Sequence, residues 1–443
     1  MRHKPCFAIS GRFFFLLLYP FWGCTPEING GLDDYTAIKV VQVIPKELQR
    51  TEDLNPAAVS VANGANDFAF QLSAALAAQK GTTNNLVCSP LSVWIPLTAL
   101  VNAVKVQYKA DLLRALCVPD LEDADINNGV SRMLYDLTRQ RYKEYEEMYG
   151  QGNYHDPIKI ANAIFVDYDL KIENDFAQAF MDYYRGSSIH VDFESPTAVT
   201  EVNDWVDKNT NGMIQNIIPE FEPETLVVLA NAVYFFDRWS WEFDPNKTKP
   251  DTFYAPGGRK TQAFYMLREG ERQIYFEDEK LQAIPLSFKT DSGLYILLPK
   301  DGNATGLLAS LTSDYFLAIQ NGSKLADGKL LLPRFSIDGD VMRLKDILIT
   351  MGIPLFEHNS LTGLIQEADV FLRDAIHKAV IQVDEKGTTA AAVTILEGAT
   401  SSGENPPREQ FEMICDKPFV FILYGRTTDG GNQVLFTGVV NQP

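Results

Sequence analysis

Metal ligands and disulfide partners are scarce in this sequence. Only five cysteines and five histidines occur among 443 residues. No two cysteines are spaced as CxxC, and none lies near a histidine at a zinc-like spacing, so the sequence predicts neither a metal site nor a cofactor. Cys88 lies in an apolar segment and is expected to be a small buried residue, although a Cys88–Cys117 disulfide stays open on sequence alone. The remaining cysteines are Cys6, Cys24 and Cys415.

Local catalytic signatures are also missing. The chain has no GxSxG, GxGxxG, HExxH, phosphate-binding GxxxxGK(S/T) or EF-hand motif. A Ser/His/Asp site would have to be assembled from scattered residues, and no local signature supports one. The sequence therefore favours a protein that is not an enzyme.

Positive charge is in short supply. Lys and Arg number 39 against 58 Asp and Glu, which gives a formal net charge of −19 and a pI of about 4.7. Such a chain repels the phosphate backbone, so nucleic-acid binding is not expected. Hydrophobic residues make up 46% of the chain, enough for a sizeable core without metal or disulfide staples. Beyond the N-terminus no apolar run of about twenty residues predicts a membrane helix.

The first residues have the pattern of an export signal. Arg2, Lys4 and Arg12 flank or precede the apolar run 13–19, which is too short to span a bilayer comfortably. A signal peptide over residues 1–23 is the prediction.

The junction after this signal resembles the processing site of bacterial lipoproteins, because Gly23 is followed by Cys24. Two outcomes stay open: a bacterial envelope protein tethered to the membrane through a lipidated Cys24, or a secreted protein. In both cases the protein is expected to act outside the cytoplasm. Residues 24–63, punctuated by Gly, Asp and Pro, predict a flexible extension.

The rest of the chain, residues 64–443, is predicted to form a single α+β domain. A helical pattern begins near Ala65, and a second helix begins at Pro90 with Ser89 as its cap. Mostly helices come first and strands afterwards, which favours α+β over alternating βαβ units. A further helix is predicted at 197–209, and strands are predicted at 158–166, 226–235, 283–288, 294–298, 329–332, 380–383, 419–423 and 434–440.

One segment near the C-terminus has an acidic first part and an uncharged second part. The acidic, glycine-containing stretch 384–387 is followed by residues 388–396, which include neither a charge nor a proline. Their β-branched members lower helix propensity, and the small side chains on alternate positions could slide between existing strands. The polar, proline-containing residues up to Arg408 suit an exposed and cleavable loop.

Several ordered segments resemble the serpin family. The match covers about residues 65–443, and it implies several helices around a large central mixed sheet, smaller sheets, and an exposed reactive-centre loop at about 385–412. A stretch at 102–108 departs from the family pattern at a helix junction. The matching segments are 85–92, 160–165, 202–206, 229–235 with Trp239, 332–335, 375–379 leading into 384–388, 417–419 and 434–438.

The resemblance also implies roles for individual residues. Ser89, Ser92, Asn231 and His377 match a polar cluster that controls opening of the central sheet, and Trp239 matches the tryptophan where the loop first enters it. The hinge that enters the sheet would consist of Glu385, Lys386, Gly387, Thr388, Thr389, Ala390, Ala391, Ala392, Val393 and Thr394.

The implied activity is suicide inhibition of serine, and also of cysteine, endopeptidases. The protease would cleave the loop, and the hinge would insert into the sheet and trap the acyl-enzyme as a covalent 1:1 complex. The hinge length places the cut at Ser401-Ser402, whereas a count back from the C-terminal side gives Arg408. A monomer with a tendency to form loop–sheet polymers is expected. The alternative is a non-inhibitory serpin that acts as a carrier, a chaperone or a protease substrate.

Overall fold

The long first helix begins earlier than its apolar pattern indicates. The computed structural model describes residues 38–39, 56–138, 158–388 and 408–443, apart from 82, 222–223, 291 and 428–430, and these lie in one compact unit spanning Ala37–Pro443. Helix α1 covers Pro56–Lys80, so the last residues of the extension predicted at 24–63 are helical instead. Val61 and Ala65 are both buried, which shows that the first turns already pack on the core.

The second helix begins where predicted but is capped differently. Helix α2 spans Pro90–Ala99, with Pro90 in its first turn as expected. Ser89 occupies the N-cap position, yet its side chain makes no capping hydrogen bond. Its hydroxyl instead donates to the carbonyl of Leu435, 2.9 Å away on a distant strand. The sequence identified the position correctly and the role of the side chain wrongly.

The other described helices surround the sheets. After α2 come α3 (Val106–Ala115), α4 (Asp123–Thr138), α5 (Asn174–Tyr184), α6 (Ala198–Asn209), α7 (Ala304–Ser310), α8 (Ser313–Gly322) and α9 (Lys345–Thr350). None of the helices in the described part of the chain is long and apolar enough to span a membrane.

The described strands form two main sheets and two short pairs. They are β1 (Ile38–Lys39), β2 (Leu86–Cys88), β3 (Ile158–Asp167), β4 (Gly186–Val191), β5 (Val227–Phe235), β6 (Lys249–Ala255), β7 (Arg259–Glu277), β8 (Leu281–Ser287), β9 (Gly293–Pro299), β10 (Lys324–Pro333), β11 (Phe335–Asp338), β12 (Met342–Arg343), β13 (Ile376–His377), β14 (Val380–Val383), β15 (Glu409–Ile414), β16 (Phe419–Arg426) and β17 (Asn432–Val440). The α+β class is confirmed, with mixed helices and a large curled sheet.

The larger sheet contains the buried strands β16 and β17 near the C-terminal end of the described chain. Its strand order is β15-β10-β7-β8-β9-β16-β17-β2, with β6 paired to β7. Strands β16 and β17 are buried along almost their whole length, as expected for strands packed on both faces. Because β15 begins at Glu409, the loop predicted to run to about residue 412 ends earlier than expected.

The smaller sheet has the order β1-β4-β3-β5, and β5 forms its edge. Strand β5 pairs antiparallel with β3 along its full length, from Val227 opposite Val166 to Phe235 opposite Ile158. Strand β14 pairs with β11, and β13 pairs with β12. In the described part of the chain, β5 thus has a strand partner on one side only.

Candidate functional site

A cavity of about 60 Å³ lies beside the unpaired edge of β5. Leu229, Asn231 and Val233 line it from β5, and Ile376 and His377 line it from β13. Residues of α2 and α6 complete the lining. The cavity therefore lies between one face of β5, on which these alternate residues are placed, and β13.

His377 joins this cavity to the start of α2. Its Nε2 accepts a hydrogen bond from the backbone N–H of Ser89 at 3.1 Å, and its Nδ1 lies 3.2 Å from the hydroxyl of Ser92. The Ser92 hydroxyl donates to the Ser89 carbonyl at 2.8 Å, so a neutral imidazole with the proton on Nδ1 satisfies every group. Burial lowers the pKa of His377 to about 4.

Asn231 lies in the same cavity but has a different partner. Its side-chain amide donates to the Asn162 side-chain oxygen on β3 at 2.5 Å. Asn162 in turn donates to the carbonyl of Tyr184 at the end of α5 at 2.7 Å. The structure therefore brings Ser89, Ser92 and His377 into one hydrogen-bonded cluster. Asn231 belongs to a second chain of hydrogen bonds on the opposite wall.

The predicted hinge begins with a tight turn at the top of β5. The Asp384 N–H donates to the Gly387 carbonyl at 3.0 Å, and the Asp384 carboxylate accepts from the N–H groups of Lys386 and Gly387. This is the local pattern by which an aspartate stabilises a turn. Gly387 has φ +144°, and a Cβ there would lie 2.2 Å from the Asp237 carbonyl oxygen, so the turn requires glycine.

Trp239 holds this turn against the sheet. It is fully buried, stacks on Phe288 with ring centroids 4.2 Å apart, and donates its indole N–H to the Asp384 carbonyl at 2.9 Å. Its backbone N–H donates to the carbonyl of Lys386 at 2.9 Å. Trp239 therefore lies at the point where the loop meets the sheet, and it also serves as a core aromatic residue.

A partly buried ion pair holds the first residue of the predicted hinge. The carboxylate of Glu385 is bonded to the guanidinium of Arg334, which follows β10, and accepts from the Thr248 hydroxyl at 2.5 Å. Burial alone would raise the pKa of Glu385, but the hydrogen bonds from Arg334 and Thr248 outweigh it and hold the pKa below its usual range. Neither partner was identified from the sequence.

Asp237 is a further residue that sequence reasoning missed. Its carbonyl accepts from the Thr388 N–H at 2.9 Å, and its own N–H donates to the Thr388 hydroxyl at 3.0 Å. Its buried carboxylate accepts from Thr290 and Ser292 in the turn between β8 and β9. Burial raises the pKa of Asp237 to about 6, although these hydrogen bonds oppose the shift. The only indication of this role in the sequence is that an aspartate follows the end of β5 by two residues.

Arg408 lies where the loop rejoins the sheet. Its guanidinium forms an ion pair with Asp327 on β10 at 3.1 Å, and its side chain is 15% exposed. The other predicted loop residues, Thr389 to Thr394 and Ser401-Ser402, lie outside the described residues, as does Cys24. Cys88, Cys117 and Cys415 are free thiols, so the Cys88–Cys117 bridge is absent. Cys88 is a fully buried small residue, as predicted.

Comparison with known proteins identifies the family. The family model described as "Serpin (serine protease inhibitor)" matches residues 63–443. A serine protease inhibitor of Mus musculus is 31% identical over 430 residues, covering 95% of this chain and 97% of the mouse protein. An uncharacterized serpin-like protein of Thermococcus kodakarensis is 29% identical over 390 residues and 86% of each chain.

Solved structures agree with the fold. Human thyroxine-binding globulin superposes with a TM-score of 0.75 at 23% identity, covering 87% of this chain and 99% of the globulin. The thermophilic serpin tengpin in its native state gives 0.74 at 22% identity, covering 89% and 96%. The α+β fold with a large curled antiparallel sheet and smaller sheets is thus the serpin fold. The chain belongs to the serpin family, whose members include protease inhibitors.

Proposed function

We propose that this chain is an inhibitory serpin that traps serine endopeptidases by inserting its cleaved loop beside β5. The observation that carries the proposal is the position of the hinge. The carbonyls of Glu385 and Lys386 accept from the N–H groups of Phe243 and Trp239, and Thr388 pairs with Asp237, just beyond the end of β5. Along one edge, β5 has no strand partner in the described part of the chain. The hinge thus begins at the mouth of the space that an inserted strand would fill.

The residues that follow the hinge are suited to that space. Segment 388–396 has small or β-branched uncharged side chains, and a charge there would be costly to bury. A new strand between β5 and β14 would gain ladder hydrogen bonds on both sides. About ten such bonds at about 1 kcal/mol each would supply about 10 kcal/mol, comparable to the stability of a whole domain. The uncut protein is then metastable, and cleavage releases the stored free energy.

The protease supplies all of the chemistry. Its serine attacks the carbonyl of the scissile residue, forms an ester, and releases the amino group of the next residue as a new N-terminus. Insertion of the loop carries the ester-linked protease away and prevents hydrolysis of the ester. The chain contributes no catalytic residue of its own. The ion pair between Arg408 and Asp327 supports Ser401-Ser402 over Arg408 as the cut, since a paired and partly buried side chain suits a protease pocket poorly.

The test is incubation of the purified protein with elastase-, subtilisin- and trypsin-like proteases, followed by denaturing gels and intact-mass analysis. A covalent complex that survives denaturation is expected, and the mass of the released C-terminal peptide identifies the bond. Thr394→Arg should abolish the complex because it places a charge in the inserting strand. Asn405→Arg, beyond the predicted bond, is the matched control and should leave the complex intact. Clean cleavage with every protease still active would instead favour a substrate or carrier function.

We also propose export through the signal at 1–23, with Cys24 as a candidate lipid attachment site. Expression in a bacterial host with a labelled fatty acid tests this. Label that disappears in Cys24→Ala indicates a tether, whereas unlabelled protein in the medium indicates secretion.

A further inference from the structure

The loop-bearing end of the molecule exposes two large aromatic side chains. Trp241 is 53% exposed and Phe264 is 52% exposed. Phe264 and Arg268 share one face of β7, because alternate residues of a strand point the same way. Trp241 lies against the same strand, where a Cβ at Gly270 would be 2.9 Å from its ring. We call Trp241, Phe264 and Arg268 the Trp241 surface.

Arg268 is a largely buried cation beneath this surface. Its side chain is only 9% exposed, and the guanidinium carbon lies 4.4 Å from the centre of the Phe243 ring and 5.5 Å from that of Trp241. It donates to the Trp241 carbonyl, but Nε is buried without a hydrogen-bond partner. No carboxylate pairs with Arg268 among the residues that the structure describes. Burial lowers the pKa of Arg268 to about 10.

A desolvated, unpaired guanidinium destabilises a folded protein unless something compensates it. An exposed Trp beside a buried Arg, with an exposed Phe on the same strand face, is also a combination that concentrates at the centres of protein interfaces. The two observations together indicate a surface completed by a partner that brings a carboxylate and an apolar group.

The position of the surface identifies the partner. Phe243, which packs on Arg268, donates its N–H to the carbonyl of Glu385, where the loop begins. Arg268 lies opposite Leu330 on β10, and Leu330 lies opposite Met413 on β15, the strand that follows the loop. The Trp241 surface therefore lies between the two ends of the reactive loop. A protease that attacks the loop must approach this end of the molecule.

From these relations we infer that the Trp241 surface is an accessory docking site for the target protease, which contacts it with a carboxylate-bearing loop before cleavage. The inference rests on the proposed inhibitory function, and it deepens that function by specifying a second contact outside the reactive loop. Arg268 would then gain its missing ion pair in the encounter complex, in an environment from which water is excluded.

The experiment measures docking apart from trapping. Elastase or subtilisin with its catalytic serine replaced by alanine is titrated with the full chain, and the dissociation constant of the non-covalent complex is recorded at low and high salt. Trp241→Ala and Arg268→Met are each expected to weaken binding about tenfold. Arg268→Met keeps the packing between the two rings, so its melting temperature should equal or exceed that of the wild type. It should also reduce the salt dependence of binding.

Tyr168→Ala is the matched control, because this aromatic residue is 49% exposed and follows β3 of the smaller sheet. The end of β3 lies beside the start of β5, whereas Trp241 follows the other end of β5. It should bind as the wild type does. Wild-type binding and trapping by both Trp241-surface variants would overturn the docking site and leave inhibition intact. Unchanged binding with a large loss of stability in Trp241→Ala would also overturn it, since residues of this chain would then cover the surface. Absence of any covalent complex with wild-type protein would overturn both proposals.

Discussion

Asp237 and Thr388 are joined by three hydrogen bonds. The Thr388 N–H and hydroxyl donate to the Asp237 carbonyl at 2.9 and 3.3 Å, and the Asp237 N–H donates to the Thr388 hydroxyl at 3.0 Å. They connect the end of the edge strand to the last described residue of the hinge. The Asp237 carboxylate accepts in turn from Thr290 and Ser292, so the residue that anchors the loop carries a buried titratable group.

Removal of that charge should change how stability depends on pH. The pKa of Asp237 is about 6 in the folded protein, above its ordinary value of 3.8. Its stabilising contribution to the free energy of unfolding is therefore fully present below pH 3.8 and is lost as pH rises through 6. Asp237→Asn does not titrate. We expect its free energy of unfolding to rise relative to wild type between pH 4 and pH 7, by up to about 3 kcal/mol. Denaturant titrations across this range test it, and a constant difference would contradict it.

His377 should produce the opposite trend. Its folded-state pKa of about 4 lies below the ordinary value of 6.5, so stability is full above pH 6.5 and is lost as pH falls towards 4. Protonation at Nε2 removes the acceptor for the Ser89 N–H. His377→Gln should flatten this part of the profile, which thermal unfolding would record. His358→Gln changes an exposed histidine and serves as the control. An unchanged profile in His377→Gln would refute the assignment.

Breaking the Glu385–Arg334 pair should loosen the hinge. The Glu385 side chain is 7% exposed and that of Arg334 is 45% exposed, so removal of one partner leaves a largely buried carboxylate or a half-exposed cation. Arg334→Gln should lower stability by about 1–2 kcal/mol, a value reduced for solvent screening. It should also increase polymer formation on warming, measured by light scattering. Arg114→Gln removes an exposed pair on α3, with side chains 70% and 59% exposed, and should have little effect.

Gly387→Ala should prevent the hinge turn from forming as it does in the native protein. The added Cβ would meet the Asp237 carbonyl at 2.2 Å in a backbone region that favours glycine. We expect a loss of about 1–3 kcal/mol and faster hydrogen exchange at residues 385–388. Gly81 also has a positive φ, +73°, but with open space around it, so Gly81→Ala is the control without a clash. It separates backbone strain from the clash, and equal effects of the two variants would contradict the role of the contact.

Sequence reasoning predicted the strands that carry strong local patterns. Strand β14 was predicted with its observed bounds, and β5 within one residue, because both are rich in Val and other strand-forming residues. Strand β4 was missed, since Ser187, Ser188 and His190 hide its pattern. Its strand conformation comes from pairing with β3.

The site was predicted less completely than the fold. The family resemblance grouped Ser89, Ser92, Asn231 and His377. The structure joins Ser89, Ser92 and His377 by hydrogen bonds, whereas Asn231 donates to Asn162. The partners of the hinge, Asp237 and Arg334, were not identified, because their contacts join segments that lie far apart in sequence. A local sequence pattern does not indicate which distant side chain will form a hydrogen bond or ion pair with a buried charge.

The pairing of β2 with β17 has a consequence for biosynthesis. Val87 lies opposite Gly438, so β2, the first described strand of the large sheet, acquires its neighbour only after β17 has left the ribosome. Until then, the apolar residues of α1 and α2 lack the surface that buries them. Such long-range pairing is slow to form, because loop closure must precede it. A truncation that removes only the last strand should therefore yield an aggregating chain that depends on chaperones.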